Sequence, residues 1–526
     1  MSRDATGDFE PIDIEAILND PAYAEDAREE SPEADARLDA AFMRAVSGVE
    51  GFEPDEDDLR AAAPDPIDPD ADDDFRAEAD DVIEALYERI GESAPEPRLE
   101  ATRMAVEMLG DVHRAYPVIH ITGTNGKSST ARIIESLLRA HGLRTGLLTS
   151  PHLERLTERI CIDGRPIRDE RLVENWRDTE PILQVVDAKL RADGKQRLTF
   201  FEALTVLACA CFADAPVDVA VIEVGMGGEW DSTNVSDGQV AVFTPIDLDH
   251  QARLGSSIQE IARTKAGIIK PDARVVSAKQ TPEALAELQR AADAASADVH
   301  VEGRDFEVAS DERAVGGRLV SVRGLAGEYD DLFLPLHGEH QSQNAAVALA
   351  AVEAFFGSER ELRHEIVQQG MGEASSPGRL QIMGRQPLML IDAAHNPHGA
   401  AALARAVSDA FEFDRLVLVL GVLGDKDAEG IVRELAPLAE HIVATESDSP
   451  RAVPADELSE QMRDWTDVPV DAEPDLADAL ELARQLAVRT NDDGSAPNGA
   501  VLIAGSLTVI GAAAGIARDR EWMRDE

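Results

Sequence analysis

Val118-Ile119-His120-Ile121-Thr122-Gly123-Thr124-Asn125-Gly126-Lys127-Ser128-Ser129-Thr130 runs strand-type residues into a glycine turn that closes on Lys-Ser. A helical pattern, Ala131 to Leu138, follows at once. Strand, glycine loop and helix form the context a phosphate-binding loop requires. The glycines let backbone N–H groups turn toward a phosphate, and the helix N-terminus adds partial positive charge. Lys127 reaches for the terminal phosphates, and the Ser128 hydroxyl suits Mg2+. The longer G-x-x-x-x-G-K-[ST] pattern wants glycine at 121, where Ile121 stands, so the loop is the shorter Gly123–Ser128 form. An ordinary strand-to-helix turn is the competing reading. Lys-Ser at the helix start, after strand chemistry, argues against it.

Composition sets the bounds around this loop. A length of 526 residues suggests two or three domains, and 44% apolar residues suffice for large cores. No run of 18 apolar residues and no apolar leader are visible, so neither a transmembrane helix nor a signal segment is expected. Cys161, Cys209 and Cys211 make no disulfide framework; a reducing cytoplasm is the expected location. The formal charge of −52 speaks against nucleic-acid binding, which needs basic surface. An acidic tail on an ordinary enzyme and a whole chain adapted to high salt are both compatible with it.

Residues 1–75 are rich in Asp, Glu, Ala and Pro and read as a disordered acidic tail, with short helices near Ile12–Leu18 and Ala36–Val46. From Phe75 helical spacing begins: Val82, Leu86, Tyr87 and Ile90, then Ala101–Leu109. Past the phosphate loop, strand-like runs end in polar turns at Ser150-Pro151-His152-Leu153, at Glu223 and at Asp247-Leu248-Asp249-His250. Helices are expected over 199–213 and Ile258–Gly267. Residues 299–336 alternate in the manner of antiparallel strands, and Gln341 and Asn344 open an Ala-rich helix running to Phe356. In a parallel sheet Ser128, Ser150, Glu223 and His250 then share the carboxyl edge, where ligands bind.

Ser375–Leu380 reads as a linker. Five strand-like runs alternate with helices after it: Leu388–Asp392, Leu416–Gly421, His441–Thr445, Val468–Ala472 and Ala500–Ala504. The expected architecture is therefore α/β: a P-loop ATPase-type parallel-sheet domain over 76–374, including N-terminal helices, and a Rossmann-like α/β domain over 375–526. The second domain lacks G-x-G-x-x-G after its first strand, which argues against nicotinamide. Asp392-Ala393-Ala394-His395-Asn396-Pro397 ends that strand and would face the phosphate loop across a cleft.

Gly123–Ser128, Ser150-Pro151-His152-Leu153, Phe200-Phe201-Glu202, Glu223-Val224-Gly225-Met226-Gly227-Gly228, Lys265-Ala266-Gly267-Ile268, His340-Gln341 and Asp392–Pro397 occur in this order. Together they resemble folylpolyglutamate synthase, including the bifunctional dihydrofolate synthase form, within the Mur-ligase superfamily. The resemblance spans about residues 78–520 and implies an ATP-dependent cytoplasmic ligase, monomeric, with no membrane or nucleic-acid partner. It would add L-glutamate to dihydropteroate or reduced folates through an acyl phosphate. It implies that Gly123, Thr124, Asn125, Gly126, Lys127, Ser128, Ser129, Asn344, Arg379, Asp392 and His395 hold ATP. Ser128, Ser150, Glu223 and His250 would hold one or two Mg2+ ions, with Lys265 carbamylated beside the second. Lys127, Lys265 and His395 would be catalytic. Phe200, Phe201, Glu202 and Asp231 would lie near the pterin-containing substrate. The chain departs from the family pattern at Glu229-Trp230, Gln251 and Thr264. A different Mur-type ligase acting on a cell-wall precursor, and an ATP-binding regulator without catalysis, are the alternatives.

Overall fold

The computed structural model describes residues 75–520, apart from 92–95, 359–360 and 492–494, together with Trp522. The expected tail, bar Phe75, and its two short helices lie outside the described residues.

Two helices, α1 (Arg76–Tyr87) and α2 (Glu100–Met108), precede β1 (Val118–Thr122), and α3 (Lys127–Ala140) leaves the phosphate loop. There follow β2 (Thr145–Leu148), β3 (Ile160–Ile162), β4 (Arg165–Pro166), α4 (Asp169–Ala192), α5 (Phe200–Asp214), β5 (Val219–Glu223) and β6 (Gly238–Phe243). Then come α6 (Gln251–Leu254), α7 (Ile258–Lys265), β7 (Arg274–Ser277), α8 (Pro282–Ala295) and β8 (Asp298–Val301). The eight strands form one sheet in the order β4-β3-β2-β5-β1-β6-β7-β8. β1, β2 and β5 to β8 pair parallel, whereas β3 and β4 turn back antiparallel at one edge. Asp163 and Gly164, both at positive φ, make the two-residue turn of that edge hairpin. Side chains alternate across the sheet. Ile119, Ile121, Val219 and Val221 join one core with α3, while Val118, Ala220 and Ile222 join another with α4 and α5.

Residues 299–336 depart in part from expectation. Asp298–Val301 extends the parallel sheet, because α8 returns the chain alongside β7. Only β9 (Glu307–Ala314), β10 (Gly317–Arg323) and β11 (Glu328–Leu334) form the separate antiparallel sheet. The Ala-rich helix α9 (Glu339–Phe356) and α10 (His364–Gly372) complete this lobe. Nearly all of α9 is buried, which its small alanines permit at close approach.

The sheet of the second lobe has six strands, one more than the sequence runs indicate. In chain order they are β12 (Gln381–Arg385), β13 (Leu388–Ile391), β14 (Arg415–Leu420), β15 (His441–Ala444), β16 (Val470–Ala472) and β17 (Gly499–Ala504). Their order is β12-β13-β17-β14-β15-β16, with only β12 antiparallel. Helices α11 (Pro397–Ala410), α12 (Ala428–Leu435), α13 (Ala455–Trp465), α14 (Leu476–Val488) and α15 (Leu507–Asp519) connect them. Between the lobes, Arg318 of β10 is buried between Asp311 Oδ1 (2.5 Å) and Asp409 Oδ2 of α11 (2.6 Å).

Candidate active site

β2, β5, β1 and β6 are neighbours, so the turns at their carboxyl ends meet at one edge. The loop between β1 and α3 can only be built from glycine at two points. Gly123 has φ +153°, and a Cβ there would stand 1.8 Å from Thr244 Oγ1; Gly126 has φ +84° and would meet Asn344 Oδ1 at 2.6 Å. Lys127 Nζ donates to Thr124 O within its own loop at 3.2 Å. Ser128 Oγ lies 2.9 Å from both oxygens of Glu223, and Ser150 N donates to Glu223 Oε2 at 3.0 Å. Burial raises the Glu223 pKa; Lys127, the Ser150 N–H, the Ser128 hydroxyl and Arg379 all act against that rise. Three of the four expected metal residues are therefore in contact.

His250 lines the same cavity as Lys127, Gly123, Asp249 and Lys265. Its Nε2 is 3.6 Å from Asp249 Oδ2 rather than on Glu223. Burial pushes the imidazole down to about 4; Asp249 opposes this, while Lys426, Lys127 and Lys265 add to it. The ring is thus neutral near pH 7, the form that binds a metal. Lys127 and Lys426 both act on this imidazole, so even in a chain of charge −52 positive charge gathers here, which suits a polyphosphate. Lys265 is 4% exposed and donates to Gly123 O at 2.6 Å. Burial, then Lys127, bring its pKa down to about 7. A large share of Lys265 is therefore free amine at neutral pH, the form that can take up CO2.

The second lobe closes over this edge. Asp392, buried past β13, accepts from Leu380 N and Ala394 N, each at 2.8 Å, and so fixes the linker turn beside Arg379. His395 Nδ1 stands 2.9 Å from Ala393 O. A carbonyl only accepts, so Nδ1 carries the proton and Nε2 keeps its lone pair. Burial lowers this imidazole to about 4. Ser129 Oγ meets Ser376 Oγ of the linker at 2.9 Å. Asn344 donates to Gln341 Oε1 at 3.0 Å and presses on Gly126, so it backs the phosphate loop.

The four expected substrate residues do not act alike. Phe201 packs against Gly225, in the turn after Glu223. Phe200 is buried, its ring stacked on Tyr87 at 5.4 Å. Glu202 is occupied by Arg98 (2.8 and 3.0 Å) and by Thr199 N at 2.7 Å. Asp231 accepts from Met226 N at 2.8 Å, Thr233 N at 3.0 Å and Thr233 Oγ1 at 2.6 Å. The oxygens of the last two carboxylates are thus engaged by protein donors. Sequence reasoning missed Lys426 and Asp249, which pair across the lobes at 3.6 Å. Lys426 follows β14 and Asp249 follows β6, so the strand-end rule that found Glu223 covers both.

Two family models match: the Mur ligase middle domain over residues 121–352 and the Mur ligase, glutamate ligase domain over 378–507. The chain is 42% identical over 458 residues to dihydrofolate synthase/folylpolyglutamate synthase of Mycobacterium tuberculosis, covering 82% of this chain and 92% of that protein. The chain belongs to the folylpolyglutamate synthase/dihydrofolate synthase family of Mur ligases. As a member of that family it is an ATP-dependent ligase. Mycobacterium tuberculosis folylpolyglutamate synthase complexed with ADP superposes with a TM-score of 0.80 at 41% identity, covering 86% of this chain and 99% of that one. E. coli FolC in complex with DHPP and ADP gives 0.72 at 29% identity, with 84% and 98% covered.

Proposed function

We propose that this chain forms an amide between the amine of L-glutamate and a carboxylate of dihydropteroate or a reduced folate, converting ATP to ADP and phosphate. The observation that carries the reading is the meeting of Lys127, the Ser128–Glu223 contact, Lys265 and His250 at one sheet edge. The family's relatives support the choice of substrates. Residues 76–374 and 375–526 serve as the two catalytic units of a cytoplasmic monomer. Among the described residues no helix is long and apolar enough to cross a membrane.

The donor set fits Mg2+. No group of three His, Cys, Asp or Glu side chains gathers among the described residues. A hydroxyl, one carboxylate and an imidazole leave room for the phosphate oxygens and waters that Mg2+ keeps. Ser128, Ser150, Glu223 and His250 would hold one or two ions, with carbamylated Lys265 beside the second. An ion held there would supply positive charge against the phosphates of ATP. The loop amides of Gly123–Ser129, Lys127 and Arg379 hold and orient ATP. The substrate carboxylate attacks the γ-phosphorus, the bond to the β-phosphate oxygen breaks, and ADP leaves. The glutamate nitrogen then attacks the acyl carbon; the carbon–oxygen bond to phosphate breaks and the nitrogen loses its proton. His395 Nε2 faces that step with its lone pair, while Phe201 borders the acceptor and the Lys426 cation lies across the cleft for a glutamate carboxylate. Closure of the lobes excludes water.

The test is ADP release with L-glutamate and either dihydropteroate or a reduced folate, with a muramyl nucleotide as the contrasting acceptor. Glutamate-dependent release is expected with the pteridine acceptors alone. In Lys127→Ala it should fall by ~10^3-fold or more. Turnover near wild type in that variant rejects the phosphate-loop assignment.

A further inference from the structure

We propose that Asn125, Asn396 and His398 form a clasp between the two lobes, and that His398 is a positioning residue coupling the phosphate loop to lobe closure. The proposal rests on the ligase reading above. Asn125 lies between Gly123 and Gly126, so its side chain is a handle on the turn that these two positive-φ glycines form. Both polar ends of that handle are taken by the second lobe. Asn396 Nδ2 donates to Asn125 Oδ1 at 3.2 Å, and Asn125 Nδ2 stands 2.9 Å from His398 Nδ1.

The orientation of each group follows from the next. Asn396 is the N-cap of α11, its Oδ1 accepting from Gly399 N at 2.8 Å, so its Nδ2 is the atom left to donate. The atom it meets on Asn125 is therefore the oxygen, and the atom facing His398 is the nitrogen, a donor. His398 Nδ1 must accept, which places the ring proton on Nε2. Asn396 caps the helix that begins at Pro397, two residues after His395, and His398 lies in its first turn. The phosphate loop and the imidazole that meets the incoming amine are thus moved by the same rigid element. Opening the lobes releases Asn125 as it withdraws His395. Acyl phosphate then forms only while the amine's site is assembled, instead of being cleaved by water to carboxylate and inorganic phosphate with no amide made.

ADP released and amide formed, measured in one reaction, test this. Wild type should give one ADP per amide. His398→Ala should give ~2 or more, with amide kcat ~5-fold lower and KM for ATP within ~2-fold. His398→Asn, whose Oδ1 can replace Nδ1 as acceptor, should bring the ratio back toward one. Asn396→Ser keeps a good cap but loses the donor, and should uncouple with a melting temperature within ~3 °C of wild type. A ratio of one and unchanged kcat in His398→Ala overturn the clasp. Small-angle scattering of the ADP-bound protein needs no acceptor. A broader spread of lobe separations in His398→Ala supports the clasp, and superimposable profiles reject it. Wild type that makes no amide with either acceptor, while this scattering difference persists, would fault the substrate reading alone.

Discussion

Lys265 shows how one buried side chain links site and stability. Its folded-state pKa, about 7, lies below the ordinary 10.5 because burial and Lys127 disfavour the ammonium form. Between those values the unfolded chain binds a proton that the folded chain lacks. Stability contributed by this group therefore rises with pH across that window, by up to ~1.4 kcal/mol per pH unit. Lys265→Met should abolish that part of the rise. Denaturant unfolding of both proteins from pH 7 to 10.5 in CO2-free buffer checks it, and parallel curves would reject the depressed amine. Residue types alone mark Lys127, Ser128 and Glu223 as candidate site groups, since phosphate and Mg2+ chemistry restricts the choice. They do not reveal that Glu202 and Asp231 spend their oxygens on Arg98 and on the turn at Met226. A carboxylate's partners come from distant chain segments.

The elements that carry the phosphate loop are tied from behind. Glu353 of α9 is buried and accepts from Leu325 N at 2.5 Å, Ala326 N at 3.1 Å and Tyr329 Oη at 2.9 Å. It thereby pins the turn between β10 and β11 to the helix whose other end presses Asn344 on Gly126. Glu353→Ala leaves two part-buried N–H groups and the buried Tyr329 hydroxyl without an acceptor and should destabilise by about 3 kcal/mol or more. Chemical denaturation measures this, and a loss under about 1 kcal/mol would show that water replaces the carboxylate. Elements with a clean apolar period, such as β1, α5 and β14, are legible in the sequence. The 24-residue α4 is harder to read because Pro181 lies within it. The β3–β4 edge has strands of three and two residues, too short to show a period.

Over the whole molecule, charge is the dominant feature. Residues 1–75 hold 25 acidic and five basic residues, which leaves −32 of the −52 on the rest of the chain. Self-repulsion therefore belongs to the folded lobes as well as the tail. Raising KCl from ~0.05 M to ~2 M shortens the screening length to a few ångströms and should raise the melting temperature by ~5 °C or more. A chain starting at Phe75 should respond likewise; a flat response in the shorter chain would confine the effect to the tail. The sequence by itself determined the phosphate loop, the two α/β lobes and the strand-end carboxylate, because those depend on local periodicity and on residues few chemistries can replace. The tertiary structure alone decided that Asn125 meets Asn396 and His398, that Asp249 faces Lys426, and that Glu202 and Asp231 bond to protein donors. Each of these joins groups far apart in the chain, whose meeting depends on how sheets and lobes pack, and no local pattern encodes that.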